Sequence, residues 1–138
     1  MIRTHIVLTI AVAAGVLAAI WRFRPQVWTV TQTAGLFVLI LGFVGWTIAR
    51  FQLGTSFTAT AEARHLVTKG LYSKFRNPIY IFGSCVIAGV ILVVGKPVWL
   101  LIFVIIIPMQ MLRSRKESAV LEAAFGEEYR KYRAGTWF

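Results

Sequence analysis

The segment VWTVTQTAGLFVLILGFVGWTIA, residues 27–49, decides the fold because it carries no charged residue over a length that crosses a bilayer. A helix rises about 1.5 Å per residue and the hydrocarbon core is about 30 Å thick, so about 20 apolar residues are enough. The segment shows no strand-like alternation, and in lipid a helix satisfies its own backbone groups. Residues 27–49 are therefore predicted to form a transmembrane helix.

Three further apolar stretches lie outside this segment, at residues 6–21, 79–94 and 98–112. The last two are predicted to form a short helical hairpin, because the Gly and Pro in residues 95–97 break helices. Pro108 is predicted to kink the last stretch. The first stretch follows a charged start, as in a signal peptide, but large aromatic residues follow its small ones, so we expect it to be retained as a helix. These patterns predict an all-α membrane protein with four spans.

The composition agrees with this class. Of the 138 residues, 58% are hydrophobic, and the mean hydropathy of +0.73 is too high for an ordinary soluble domain. The net charge of +10 could indicate nucleic acid, but the basic residues cluster beside apolar spans, as retained cytoplasmic Lys and Arg do. No nucleic-acid partner is therefore predicted. The single cysteine excludes an internal disulfide, and no spaced Cys/His pattern indicates a metal site.

The basic residues also predict an orientation. With four spans, the N-terminus, residues 50–78 and the C-terminus share one side, which holds all of the 15 Lys and Arg residues except Arg22, Arg24 and Lys96. Because positive charge is retained inside, both termini are predicted to be cytoplasmic, in an inner or plasma membrane. The 5 acidic residues share that side, so we expect the chemistry there.

Beyond the fourth span, apolar side chains recur at helical spacing and predict a C-terminal amphipathic helix on the cytoplasmic side. The stripe consists of Leu121, Phe125, Tyr129 and Tyr132. Counting back by fours places Glu117 and Arg113 on the same face. This pair is either a simple surface ion pair or, as inward-facing charge near the bilayer, a candidate site.

The segment KGLYSKFRNPIY, residues 69–80, concentrates polar residues between two apolar stretches. It indicates a turn followed by a helix start, because Gly70 permits an unusual backbone, Asn77 can cap and Pro78 suits the first helical turn. The tyrosines at 72 and 80 are typical of an interfacial aromatic belt. That interpretation leaves the basic side chain of Arg76 at the same boundary unexplained.

Two segments in this order, HLVTKGLYSKFRNPIY (residues 65–80) and RSRKESAVLEAAFGEEYRKY (residues 113–132), separated by the hairpin, resemble the isoprenylcysteine carboxyl methyltransferase family and its relatives, the membrane phospholipid N-methyltransferases. The resemblance covers residues 64–133. It implies methyl transfer from S-adenosyl-L-methionine, leaving S-adenosyl-L-homocysteine, with the cofactor on the cytoplasmic side and a lipid-like acceptor in the bilayer.

The resemblance also implies the site residues. Glu117 matches a cofactor-binding glutamate, and Arg113 matches an arginine near the acceptor group and is the predicted catalytic residue. From the chemistry of the cofactor, Arg64 or Arg76 is expected to hold its carboxylate by paired hydrogen bonds. The remaining cofactor-binding positions match the family segments that line and wrap the cofactor: Arg64, His65, Leu66, Val67, Tyr72, Asn77, Pro78, Ile79 and Tyr80.

Two positions depart from the family pattern. Asn77 stands where histidine is usual, and Ser118 stands where a second glutamate is usual. An amide still donates and accepts hydrogen bonds, so Asn77 can serve cofactor binding but not proton transfer. Ser118 weakens any mechanism that needs two carboxylates.

The sequence thus predicts one membrane methyltransferase domain, residues 1–138. It comprises a two-helix part (1–51) and a part with the cofactor-binding loop, hairpin and C-terminal helix (52–138). The expected acceptor is an isoprenoid or prenylcysteine-type carboxylate, and a phospholipid amine is the alternative. Oligomeric state is left open.

Two non-enzymatic functions compete with this interpretation. A small four-helix multidrug transporter is expected to carry an acidic residue within a span, and none of the four apolar stretches has one. A membrane-anchored interaction protein with a lipid-binding basic tail would tolerate scrambling of residues 64–80, whereas a methyltransferase would not.

Overall fold

The described parts of the chain, residues 2–54 and 66–138 of a computed structural model, are helical and contain no named strand. Most of the predicted segment 27–49 lies in a helix that starts at Val30, after the N-cap Thr29, and continues beyond the prediction to Leu53. The α-helices are α1 (Ile2–Phe23), α2 (Val30–Leu53), α3 (Pro78–Val94), α4 (Phe103–Phe125) and α5 (Glu127–Ala134). Short 3-10 helices occupy Gly70–Ser73 and Pro97–Ile102.

Within the described residues, 3 helical runs are long and apolar enough to cross a membrane: Arg3–Phe23, Val30–Leu53 and Pro97–Phe125. They contain the predicted spans 6–21, 27–49 (from Val30 onward) and 98–112. The remaining predicted span, 79–94, is helical as α3, but its 17 residues make it shorter. At about 1.5 Å per residue, α3 measures roughly 26 Å, somewhat less than a hydrocarbon core of about 30 Å.

Helices α2 and α3 pack with their backbones in close approach. A Cβ added at Gly89 of α3 would lie 2.5 Å from the backbone nitrogen of Leu39, and one added at Gly42 of α2 would lie 2.8 Å from that of Val86. Small residues permit this approach between helices in lipid, where packing rather than the hydrophobic effect holds them together. The middle of α3 is thereby fixed against α2.

The predicted hairpin turn is present between α3 and α4. Gly95 ends α3 with a φ of 76°, a left-handed conformation that glycine adopts without strain. The predicted helix 98–112 is present, but it begins as a 3-10 helix, Pro97–Ile102, before α4 starts at Phe103. The Trp99 amide donates to the Lys96 carbonyl oxygen three residues earlier, as this tighter helix requires.

Helix α4 joins the fourth apolar stretch to the segment expected to form a separate amphipathic helix. It continues past Pro108 as far as Phe125. Gly126, with a φ of 51°, then separates α4 from α5, and its amide donates to the Glu122 carbonyl oxygen. Residues 113–125 are thus the polar end of one long helix.

Candidate functional site

Hydrogen bonds between polar side chains connect α3 to α4 at successive levels. The donor–acceptor distances range from 2.6 to 3.2 Å. The pairs are Asn77 with Ser114, Tyr80 with Glu117, and Ser84 with Gln110. The first two of these contacts bring the motif of residues 69–80 against the polar end of α4, so the two segments that carry the family resemblance meet in the structure.

Glu117 is the centre of the cluster that also contains Tyr80 and Arg113. The Tyr80 hydroxyl donates to Glu117 Oε1 at 2.6 Å, and Arg113 Nε donates to the same oxygen at 3.1 Å. The Arg113 guanidinium lies 5.8 Å from the centre of the Tyr80 ring. The Arg113 side chain is 54% exposed and that of Glu117 is 32% exposed. The ion pair predicted within α4 is therefore extended to a second helix by Tyr80, with Arg113 at its accessible edge.

Asn77 occupies the N-cap position of α3, as predicted, but its side chain makes no capping hydrogen bond. Its amide instead donates to Ser114 Oγ at 2.7 Å. Pro78, at the first helical position, lacks an N–H, and the Tyr80 amide is satisfied by the Asn77 carbonyl oxygen at 3.1 Å. The Asn77 side chain is therefore not needed as a cap, and its hydrogen bond to Ser114 links the start of α3 to α4.

Tyr72 lies in the 3-10 helix Gly70–Ser73 and is only 6% exposed. Its carbonyl oxygen accepts a hydrogen bond from the Tyr132 hydroxyl at 2.7 Å. The adjacent Leu71 amide donates to Gln52 Oε1 at 2.8 Å, which ties this turn to the end of α2. Burial, reinforced by nearby Tyr132 and Glu117, raises the pKa of Tyr72 above its ordinary value, and burial raises the pKa of Tyr132 to about 12. Both phenols are therefore neutral at physiological pH.

The other tyrosine of α5, Tyr129, contacts Ser118, a position at which this chain departs from the family pattern. Tyr129 is 1% exposed, and its hydroxyl donates to Ser118 Oγ at 2.8 Å. Because Ser118 follows Glu117 directly in α4, α5 is attached beside the carboxylate. Ser118 thus has a defined hydrogen-bond partner where a second glutamate was expected.

Arg76 presents a buried donor that the other described residues leave without a partner. Its Nε has no hydrogen-bond partner in residues 2–54 and 66–138, although the residue as a whole is half-buried. Leaving a buried donor unsatisfied is costly, so such an atom in a native fold calls for a ligand or water. An anionic group on a small molecule fits this requirement.

The structure describes most, but not all, of the predicted cofactor-binding positions. Arg64 and His65 lie outside the described residues. Leu66, Val67 and Ile79 are half-buried, and Pro78 is buried. Their predicted cofactor contacts stay predictions.

The C-terminal tail was not predicted to belong to the site. The Trp137 amide donates to the Lys74 carbonyl oxygen at 2.7 Å, and the Arg76 and Asn77 amides donate to the main-chain oxygens of Trp137 and Phe138 at 2.8 and 3.0 Å. Phe75 and Trp137 thereby form an isolated parallel bridge. Main-chain contacts of this kind leave no pattern in the side chains, and nothing in the sequence signals them.

Residues 28–128 match the family model described as phospholipid methyltransferase, which is well over half of the chain. The chain belongs to this family. Membership makes it a membrane methyltransferase, in agreement with its apolar helices. No curated protein shows significant similarity to the chain.

The phospholipid methyltransferase match covers the cluster around Glu117 and both helices that build it. It begins shortly before α2 and ends two residues into α5, so α1 precedes it. Tyr129, Tyr132 and the tail of residues 137–138 lie beyond its C-terminal end. The candidate site therefore combines residues inside the family match with a C-terminal segment outside it.

Proposed function

We propose that this protein transfers a methyl group from S-adenosyl-L-methionine to a lipid-borne acceptor at the cytoplasmic face of the membrane. The observation that supports this most directly is the Tyr80–Glu117–Arg113 cluster, which joins the two motif segments across α3 and α4 within a methyltransferase family match. When bound, the cofactor supplies a methyl group already activated on a sulfonium centre.

The residues present fit this cofactor, which carries a carboxylate, an ammonium group and a sulfonium cation. The unpartnered Nε of Arg76 suits the carboxylate, and the Glu117 carboxylate suits the ammonium group or a ribose hydroxyl. The Tyr80 ring already lies beside one cation, the Arg113 guanidinium, so an aromatic face is accessible to positive charge. Tyr72, Asn77, Pro78 and Ile79 would line the same site, as would residues 64–67.

The proposed roles of the chain's residues are binding and positioning. Methyl transfer is an in-line displacement, and orientation of the two reactants can supply most of the rate enhancement, up to about 7–11 kcal/mol. Tyr80 and Arg113 both donate to Glu117 Oε1, and these two hydrogen bonds fix the orientation of the carboxylate. Arg113 is the more exposed partner, so we assign it to the acceptor side.

The acceptor is proposed to enter from the bilayer beside α4. Apolar side chains along this helix, including Val104, Ile105 and Met109, are exposed and would face lipid. The family description favours a phospholipid amine, and the motif resemblance favours a prenylcysteine-type or isoprenoid carboxylate. An amine must arrive unprotonated, whereas a carboxylate needs no base, so neither requires a second glutamate at position 118.

We also propose a single domain over residues 1–138 with four spans, formed by α1, α2, α3 and the run Pro97–Phe125, in an inner or plasma membrane with both termini cytoplasmic. The glycine-mediated packing of α3 on α2 and its hydrogen bonds to α4 support placing α3 in the bilayer. Local thinning of the bilayer accommodates its 17 residues. Beyond the fourth span, the polar end of α4 and α5 would form the cytoplasmic amphipathic segment.

Calorimetric titration with S-adenosyl-L-homocysteine in detergent tests the cofactor assignment. We expect the wild type to bind in the micromolar range, and Glu117→Gln to weaken binding by roughly 10- to 100-fold, the range for a hydrogen bond to a charged group. Glu127→Gln is the matched control, because it removes an exposed carboxylate paired with Arg130 at 3.3 Å outside the cluster. Absence of binding by folded wild type would refute the proposed function, and equal affinities for the two variants would remove Glu117 from the site.

A second experiment identifies the acceptor. The protein is incubated with methyl-labelled cofactor and either phosphatidylethanolamine vesicles or an isoprenyl thioether carboxylate. A labelled amine survives mild base, whereas a labelled methyl ester is hydrolysed and releases volatile methanol. Base-stable label on the phospholipid supports the amine, base-labile label supports the carboxylate, and no transfer to either contradicts both head groups.

A further inference from the structure

The C-terminal segment contacts the proposed cofactor site at separate places. Tyr129 of α5 is bonded to Ser118 of α4, and Tyr132 is bonded to the carbonyl oxygen of Tyr72. The tail then pairs with residues 74–77 through the main-chain hydrogen bonds of Trp137 and Phe138. The segment thus links the loop, which carries Tyr72 and Arg76, to the helix that carries Glu117.

The tail acts on the loop through its backbone rather than through its aromatic side chain. Trp137 is 76% exposed as a residue, whereas its amide and carbonyl oxygen are both hydrogen-bonded, at 2.7 and 2.8 Å. The partners are main-chain atoms of Lys74 and Arg76, and Arg76 is the residue whose Nε lacks a partner. The tail therefore fixes the backbone from which the proposed carboxylate-binding guanidinium extends.

We infer that Trp137 and Phe138 are positioning residues for cofactor binding, acting through main-chain hydrogen bonds that hold residues 74–77. The inference rests on the proposed function and assigns a role to residues beyond the family match at 28–128. Its consequence is specific: releasing the tail raises the dissociation constant of the cofactor without removing any side chain of the site. At saturating cofactor, the loop is restored by ligand contacts, and turnover recovers.

The test compares two substitutions at one position in the full chain. Trp137→Pro removes the amide that donates to Lys74, and Trp137→Ala keeps every main-chain group while removing the exposed ring. One net hydrogen bond corresponds to about a three- to tenfold change in affinity, so we expect that increase in the S-adenosyl-L-homocysteine dissociation constant for Trp137→Pro and less than twofold for Trp137→Ala. Deletion of residues 137–138, which removes all of the tail contacts to residues 74–77, should raise it further.

Three measurements make the result decisive: the dissociation constant, the melting temperature, and KM for cofactor against kcat. A rise in KM for Trp137→Pro, with kcat and melting temperature near those of Trp137→Ala, supports the positioning role. Equal dissociation constants for these two variants and the deletion, or a loss of kcat and melting temperature with KM unchanged, overturn it. Wild type that binds no S-adenosyl-L-homocysteine refutes the proposed function itself, a result distinct from failure of the tail inference in a wild type that binds.

Discussion

Placing a methyl group at Gly89 should separate α2 from α3, whereas the same change at Gly83 should not. Both glycines lie inside α3, so Gly→Ala raises helix propensity equally, by up to about 1 kcal/mol. At Gly89 the new Cβ would lie 2.5 Å from the Leu39 nitrogen and 2.6 Å from its Cα, and neither backbone atom can move alone. At Gly83 the nearest atom would be Trp46 Cδ1 at 3.6 Å, an ordinary contact.

The expected difference follows from this geometry. Overpacking an already close interface costs about 1–3 kcal/mol, and the propensity gain cancels in the comparison. For a chain of this size, 1 kcal/mol corresponds to roughly 4 °C in melting temperature, so Gly89→Ala should melt about 4–12 °C below Gly83→Ala. Because α3 carries Tyr80 and begins directly after Asn77, its displacement should weaken cofactor binding as well.

Thermal unfolding in one detergent, followed by size-exclusion chromatography of the heated samples, measures the difference directly. Titration with S-adenosyl-L-homocysteine below both melting temperatures then reports the state of the site. Equal melting temperatures would refute the close packing of α2 on α3. A lower melting temperature with unchanged affinity would show that the packing does not position Asn77 and Tyr80.

Other predictions concern the polar contacts of the site. Arg113→Ala should lower kcat at least tenfold while changing the S-adenosyl-L-homocysteine dissociation constant less than threefold. Substitution of the exposed Arg115 by Ala is the control. The opposite pattern in steady-state kinetics would place Arg113 with the cofactor. Tyr80→Phe and Glu117→Gln should show a coupling of about 1–3 kcal/mol in a double-mutant cycle of cofactor affinity, because their 2.6 Å hydrogen bond joins them; additive effects would contradict it. Tyr129→Phe should destabilise the protein by about 1 kcal/mol through loss of its bond to Ser118, and in a Ser118→Ala background the loss measured by thermal unfolding should largely disappear.

The sequence predicted those features of the helices that depend only on residues close together in the chain. Uncharged length identified α2, Gly95 and Pro97 identified the hairpin turn, and Pro78 identified the start of α3. It could not show that residues 113–125 continue α4, because a helix that leaves the membrane shows the same periodicity whether or not the chain breaks. The 3-10 helix at Pro97–Ile102 was missed for a similar reason, since its composition matches that of an apolar α-helix.

The candidate site likewise contains some contacts that the sequence indicated and others that it did not. Tyr80 and Glu117 are 37 residues apart, and only the family resemblance, which assigns both to the cofactor site, indicated that they lie near each other. The partners of Asn77 and Tyr129 are serines 114 and 118, whose small hydroxyls carry no distinctive sequence signal. Both pairs depend on the rotation of α4 about its axis, which tertiary packing sets.

Ser118 shows how a departure from a family pattern can be reconciled with activity. A carboxylate there would follow Glu117 directly in α4, beside a tyrosine that is 1% exposed, and would add a second negative charge to this part of the helix. Ser118 Oγ accepts a hydrogen bond from the Tyr129 hydroxyl at 2.8 Å without adding charge, and among residues 2–54 and 66–138 Glu117 is the carboxylate that contacts Arg113 and Tyr80. The substitution therefore removes a second carboxylate while keeping the attachment of α5, and through Tyr132 and the tail that attachment extends to the loop that carries Tyr72 and Arg76.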